Sequence, residues 1–198
     1  MSFFRHILLF LTSILLYCNV YAQRYNFRNF SVSDGLAGST VNAILQDING
    51  RLIIGTDNGF NDFDGIEFRN FSRQFGLNGL KINEMLIDKK QQLWIGTEKG
   101  LFRISGKKVS KLTIKEGMPG LNITGIALHA DQSVWVSTNN GLAIIQKDAS
   151  DNLKVVVPKN DFMHQAFESI CIDKQSNIWL GSESGLIYCM VPGNISVL

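Results

Sequence analysis

Few side chains in this sequence can do chemistry, and their spacing limits what that chemistry would be. Gly181-Ser182-Glu183-Ser184-Gly185 has the outline of a nucleophile elbow, but Glu183 stands where that turn needs its serine. His129 and His164 are the histidines beyond the first twenty residues, and no His-x-x-x-His or Cys-x-x-Cys pair is present to hold zinc. Asp47, Asp88 and Asp173 would work as acid and base only if the fold brought them together. Trp94, Trp135 and Trp179 have flat faces of the kind that stack on sugars. No metal or cofactor is expected from this inventory.

Internal repetition decides among these readings. Four segments align: Leu52-Ile53-Ile54-Gly55-Thr56, Leu93-Trp94-Ile95-Gly96-Thr97, Val134-Trp135-Val136-Ser137-Thr138 and Ile178-Trp179-Leu180-Gly181-Ser182. Each is closed three residues later by Gly59, Gly100, Gly141 or Gly185, which lie 41, 41 and 44 residues apart. Twelve residues before each glycine stand Asp47, Asp88, His129 and Asp173. Three before those stand Ile44, Met85, Ile126 and Ile170. The tryptophans share one repeat position, held by Ile53 in the first copy. A second register agrees, because Phe27-Arg28-Asn29-Phe30-Ser31 recurs as Phe68-Arg69-Asn70-Phe71-Ser72. The aspartates therefore fall in separate copies, each placed to cap its own turn, and His129 reads as an exposed turn residue. The elbow-like run is the turn of every copy. Trp94, Trp135 and Trp179, inside apolar runs, are expected to pack rather than stack on ligand, and the four closing glycines are structural.

Within one unit, Val41–Gln46 and residues 51–56, 60–63 and 66–71 read as four short strands separated by Gly, Asn and Asp turns. Consecutive apolar residues such as Leu93-Trp94-Ile95 require cover on both faces of that sheet. An antiparallel sheet buried on both faces and repeated every ~40 residues is the blade of a β-propeller. The expected fold class is all-β, with blades at about 32–72, 73–113, 114–157 and 158–198.

Residues 1–22 read as a signal peptide: Arg5 and His6, an 11-residue apolar run at 7–17, then Val20-Tyr21-Ala22 before Gln23. As a helix that run covers about 16 Å, short of a bilayer core of ~30 Å. No later apolar segment reaches spanning length, so a periplasmic mature chain without a membrane span is expected. With 45% hydrophobic and 18% charged residues the composition is globular. The net charge of +2 falls to +1 without Arg5, which leaves no basic field for nucleic acid.

The unit resembles the two-component regulator propeller repeat. The second copy carries the pattern best: Gly76-Leu77, Ile82, Met85, Asp88, Leu93-Trp94-Ile95-Gly96-Thr97 and Gly100-Leu101. The third departs at His129 and Ser137, the fourth at Ser182, and the first lacks the tryptophan. The resemblance implies the periplasmic sensing half of a membrane-bound hybrid histidine kinase, commonly linked to detection of polysaccharide breakdown products. It also implies a ring of about seven blades, so that this chain is an N-terminal fragment, more open arc than closed ring, prone to self-association through open blade faces.

Binding should lie where the units differ, at the start of the inner strands and in the turns between second and third strands. The inner-strand positions are Asn42, Asn83, Thr124 and Glu168. The turn positions are Asp57-Asn58, Glu98-Lys99, Asn139-Asn140 and Glu183-Ser184. Amides, hydroxyls and a few charges suit an oligosaccharide or another polar ligand, bound without catalysis. Two alternatives remain open: a propeller hydrolase or lyase using Glu84 and Glu168 near the central channel, and a truncated product without function.

Cys171 and Cys189 fall in the first and third strands of one unit, ~9–10 Å apart. That exceeds the ~7 Å reach of a disulfide, so two free, buried thiols are expected. Alkylation of the denatured chain without reductant should label both; finding them blocked would refute the strand order.

Overall fold

Turn residues recur so often that only short extended runs survive between them, and those runs pair as four separate antiparallel sheets. The computed structural model describes residues 3–6, 27–158, 165–185, 187–191 and 194–197, the last two spans by backbone alone. Most of the leader, His164 and the side chain of Cys189 lie outside the described residues. Blade 1 is β1 (Val41–Gln46), β2 (Leu52–Thr56), β3 (Gly59–Phe63) and β4 (Phe68–Asn70). Blade 2 is β5 (Ile82–Ile87), β6 (Leu93–Thr97), β7 (Gly100–Ser105) and β8 (Lys108–Leu112). Blade 3 is β9 (Ile123–Leu128), β10 (Val134–Thr138), β11 (Gly141–Lys147) and β12 (Leu153–Val156). Blade 4 is β13 (Phe167–Ile172), β14 (Ile178–Ser182), β15 (Ile187–Val191) and β16 (Asn194–Val197). Every sheet pairs its strands in sequence order.

The aspartates do what their repeat position suggests. Asp47 Oδ1 accepts the backbone N–H of Asn49 and Arg51 at 2.8 and 2.9 Å. Asp88 does the same for Lys90 and Gln92, and Asp173 for Gln175 and Asn177. Their second oxygens take on a further task. Asp88 Oδ2 accepts the Trp94 indole N–H at 3.0 Å and Asp173 Oδ2 that of Trp179 at 2.9 Å. One carboxylate thus closes the turn and satisfies the donor that burial of an indole would otherwise strand. In blade 3, where His129 replaces the aspartate, Trp135 donates to Ser133 Oγ, which donates in turn to Asp131 Oδ1. His129 is not a freely exposed turn residue: its ring lies 6.0 Å from that of Trp135 and Nδ1 sits 2.9 Å from Asp131.

Three apolar layers lie between successive blades. Phe60 and Ala43 of blade 1 meet Ile82, Met85, Ile95 and Phe102 of blade 2. Trp94 and Leu101 meet Ile123, Ile126, Val134 and Val136 of blade 3. Trp135 and Leu142 meet Phe167, Ile178 and Leu180 of blade 4. Close approach depends on glycine at Gly55 and Gly96, where a Cβ would come within 2.6 Å of Ile82 Cγ2 and Ile123 Cγ2 respectively. Trp94 is fully buried and Trp135 nearly so, whereas Trp179, on the far face of blade 4, is half-buried.

Polar contacts supplement the layer between blades 2 and 3. The turn joining β11 to β12 reaches back so that Asp151 pairs with Arg103 at 2.7 Å, and Lys147 pairs with the buried Asp88. Lys147 and Arg103 also lie over the Trp94 ring.

The blades form an open arc. Inner strands pack β1 on β5, β5 on β9 and β9 on β13, with no comparable packing of β13 on β1 among the described residues. The segment 27–31 that copies an outer strand is not a strand here; Phe30 folds onto Phe63 and Phe68 of blade 1, ring centroids 5.2 Å away in each case. Cys171 is a free thiol but an exposed one, correcting the expectation of burial. It lies on the inner strand of blade 4, between Ile170 and Ile172, which face the layer shared with blade 3. The backbone separation of the two cysteines does hold, since Cys171 and Cys189 both face Trp179 from opposite sides of β14.

Burial raises the pKa of the Asp88 carboxyl, but bonds from Lys147, Trp94 and Gln92 outweigh it and hold the group below its ordinary value. Its stabilisation is therefore present above the unfolded value of ~3.9 and is lost as pH falls through the lower folded value. Asp88→Ala should cost about 3–5 kcal/mol in urea titration at neutral pH, because it leaves the Lys147 ammonium buried and unpaired. The difference from wild type should shrink below about pH 4.

Candidate ligand site at the mouth of the inner strands

Each inner strand carries the same irregularity. In β1 the ladder passes from Val41 opposite Thr56 to Ala43 opposite Gly55, so Asn42 is an extra, unpaired residue. The same bulge leaves Asn83 unpaired in β5, Thr124 in β9 and Glu168 in β13. A bulge bends its strand and re-aims the extra side chain. The four inner-strand residues singled out from the repeat are thus the four bulge residues.

Three of the four reach the next blade. Asn42 Nδ2 donates to Ile82 O at 2.9 Å, Asn83 Nδ2 to Ile123 O at 2.8 Å, and Thr124 Oγ1 to Phe167 O. Asn83 also donates to Asn122 Oδ1 at 2.8 Å. These are clamps between blades. An ionised Glu168 carboxylate only accepts, so the fourth bulge carries a group unfit for that role.

The turn residues divide in the same way. Asp57 Oδ1 accepts the Thr40 N–H and Asn139 Oδ1 the Asn122 N–H. Asn58 and Asn140 donate to Ala37 O and Pro119 O at 3.0 and 2.8 Å. In blades 1 and 3 these side chains tie the turn to the segment leading into the inner strand. Blade 2 has Glu98 and Lys99 instead, which pair loosely with each other at 3.8 Å and leave that segment untied. Ser184 of blade 4 bonds Ser182 within its own turn.

The departures from the pattern converge. Lys81, Asn83 and Glu98 of blade 2, Asn122 and Thr124 of blade 3 and Glu168 of blade 4 line an open cavity of about 360 Å³. The structure brings together four of the residues picked from sequence: Asn83, Glu98, Thr124 and Glu168. Asn42, Asp57, Asn58, Lys99, Asn139 and Asn140 do not line it. Asn83 and Asn122 keep an acceptor and a donor, since their mutual bond uses only one end of each amide. One ammonium faces two carboxylates, so the cavity is mildly acidic. Glu84, the second acid of the hydrolase alternative, accepts the Met85 N–H and is not among the lining residues.

Residues 35–58, the core of the first blade, match the family model described as two component regulator propeller. That segment is similar to the two-component regulator propeller repeat. The chain is also similar to the extracellular domain assigned to the hybrid two component system BT3049 from B. thetaiotaomicron. There the identity is 25%, with a TM-score of 0.72, over 87% of this chain and 24% of that one. For the corresponding domain of BT4673 the values are 23% and 0.62, over 85% and 22%. Virginiamycin B lyase from Staphylococcus aureus shares the fold at 15% identity and a TM-score of 0.61, over 89% and 58%. The chain spans about a quarter of the length of the two hybrid-system domains. No curated protein sequence matches it.

Within the regulator propeller repeat, Lys81 and Asn122 escaped the sequence reading because they precede the strands that define the unit. One signal was available: both share a repeat position with Thr40, and three copies carry three different polar residues there. Among the described residues no cluster of histidine, cysteine and acidic groups is placed to hold a metal ion, and no helix is long and apolar enough to cross a membrane.

Clamp and cavity roles separate by stability. Asn83→Ala should lower unfolding free energy by about 1–3 kcal/mol, since it leaves Ile123 O and Asn122 Oδ1 without their donor. Glu98→Gln and Lys81→Gln should stay within about 0.5 kcal/mol of wild type. Urea unfolding followed by tryptophan fluorescence measures all three.

Proposed function

We propose that this chain is part of an exported sensor propeller and that the cavity at the mouth of β5, β9 and β13 binds a polyhydroxylated ligand of the oligosaccharide class. The supporting observation is the convergence of Lys81, Glu98 and Glu168, where the repeat abandons its structural bonding pattern, with the bonded Asn83, Asn122 and Thr124, from three blades. Such a set offers both donors and acceptors, as a polyhydroxylated ligand requires. The excess of carboxylate over ammonium disfavours uronate-bearing ligands and suits neutral or amino sugars. Likeness to extracellular domains of hybrid two component systems supports export and a signalling context. Transmission of the signal belongs to domains outside this chain. Propellers of similar fold include lyases, so fold alone does not choose binding over turnover.

Isothermal titration of neutral, amino-bearing and uronate-bearing oligosaccharides tests this reading. Binding should favour the first two classes, and Glu98→Gln and Glu168→Gln should each weaken it about tenfold or more. Absence of binding by every class, or binding indifferent to both substitutions, would remove the cavity from consideration. Consumption of a bound glycan over hours would favour the enzymatic alternative.

A further inference from the structure

Asparagine followed by glycine occurs at Asn49-Gly50, Asn58-Gly59, Asn78-Gly79 and Asn140-Gly141. In such a pair the glycine nitrogen can attack the asparagine side-chain carbonyl carbon, because no Cβ on the glycine stands in the way. The fold treats these pairs unequally. The Asn58 and Asn140 amides are held on Ala37 O and Pro119 O at 3.0 and 2.8 Å. Their glycines, Gly59 and Gly141, are buried at the starts of β3 and β11. At Asn49 the attacking nitrogen is engaged, since the Gly50 N–H donates to Asp47 O at 3.1 Å.

Asn78-Gly79 has neither restraint. Both residues are exposed, in the middle of a turn closed by the Leu80 N–H on Leu77 O at 3.2 Å. Among the described residues nothing bonds the Asn78 amide or the Gly79 N–H. A Cβ built on Gly79 would meet nothing within 4 Å, so the asparagine side chain has room to turn onto the backbone nitrogen.

We propose that Asn78 is a modification site, where deamidation through a cyclic imide outpaces the other Asn-Gly pairs and alters the ligand cavity. The Gly79 nitrogen gives its proton to water and bonds Asn78 Cγ. The Cγ–Nδ2 bond breaks, and ammonia leaves with a proton. Water then adds to either imide carbonyl, opening the ring to aspartate or to isoaspartate, whose main chain runs through Cβ. One water enters and one ammonia leaves, with no change of oxidation state.

Either product adds a negative charge. Isoaspartate also lengthens the main chain by an atom. Leu77 and Ile82 are fully buried, and the Leu77 N–H donates to Ser72 O at 2.7 Å, so both ends of the segment are fixed. The added length falls on residues 78–81, and the exposed Lys81 among them lines the cavity. This consequence rests on the cavity being the ligand site; the modification itself does not.

Peptide mapping by mass spectrometry, with enzymatic methylation of isoaspartate, reads the reaction in chain aged for days at mildly alkaline pH. Asn78 should convert about tenfold or more faster than Asn58 and Asn140, which must first give up a hydrogen bond. It should also outpace Asn49. In urea, where the fold protects none of them, the pairs should convert at similar rates. Equal rates in the folded chain, or the same ranking in urea, overturn the proposal. Aged wild-type chain should bind oligosaccharide about tenfold more weakly than fresh chain. Asn78→Gln, whose longer side chain cyclises far more slowly, should bind alike before and after ageing. Unchanged affinity of converted wild-type chain overturns the effect on the cavity. If fresh chain binds no oligosaccharide, the ligand reading fails, while the mass readout still decides whether Asn78 is modified.

Discussion

A four-stranded sheet of this sequence is apolar on both sides and has no helix to cover either, so its stability depends on the blade beside it. The contact that makes this work is narrow. At the first two junctions a β-branched residue opens the inner strand and presses on a glycine of the preceding blade's second strand, as Ile82 does on Gly55 and Ile123 on Gly96. Only the missing Cβ at Gly96 lets blades 2 and 3 approach closely enough for Trp94 to be enclosed. Where the glycine becomes Ser137, the opening residue becomes Phe167, and the layer is filled with a different shape.

The candidate site follows from that junction. Close stacking at the axis requires the inner strand to bend, and the bulge that bends it leaves one side chain per blade outside the ladder. Where this residue is Asn42, Asn83 or Thr124, it bonds the next blade's backbone and the repeat gains cohesion. Where it is Glu168, that bond is chemically excluded and the group stays available. Glu98 arises likewise, as a long charged side chain where blades 1 and 3 have Asp57 and Asn139, which tie a loop down. Polar side chains free of the repeat's structural bonds thus gather where that pattern lapses.

Much of this was legible in the residue pattern, and the reasons differ by element. Strands, turns and the sheet order within a blade follow from local turn chemistry repeated at fixed spacing. The capping role of Asp47, Asp88 and Asp173 needed only the position of each acid two residues before the amide it would bond. The second use of those carboxylates, on Trp94 and Trp179, was not legible, because it depends on how a buried indole turns within its layer. The bulges were invisible too, since an extra residue in a strand changes no composition. His129 and Cys171 were misjudged for opposite reasons. One is sheltered by a tryptophan ring, and the other lies on the face of β13 opposite the layer shared with blade 3.

Periodicity in the chain determined the module, its strand order and the burial of its tryptophans, because those depend on interactions within about forty residues or between identical neighbours. Which polar residues meet was decided only in three dimensions. Lys81, Glu98, Asn122 and Glu168 are brought into one cavity by the stacking of three blades. That stacking also sets which backbone carbonyl each bulge residue meets, and sequence separation carries no information about it.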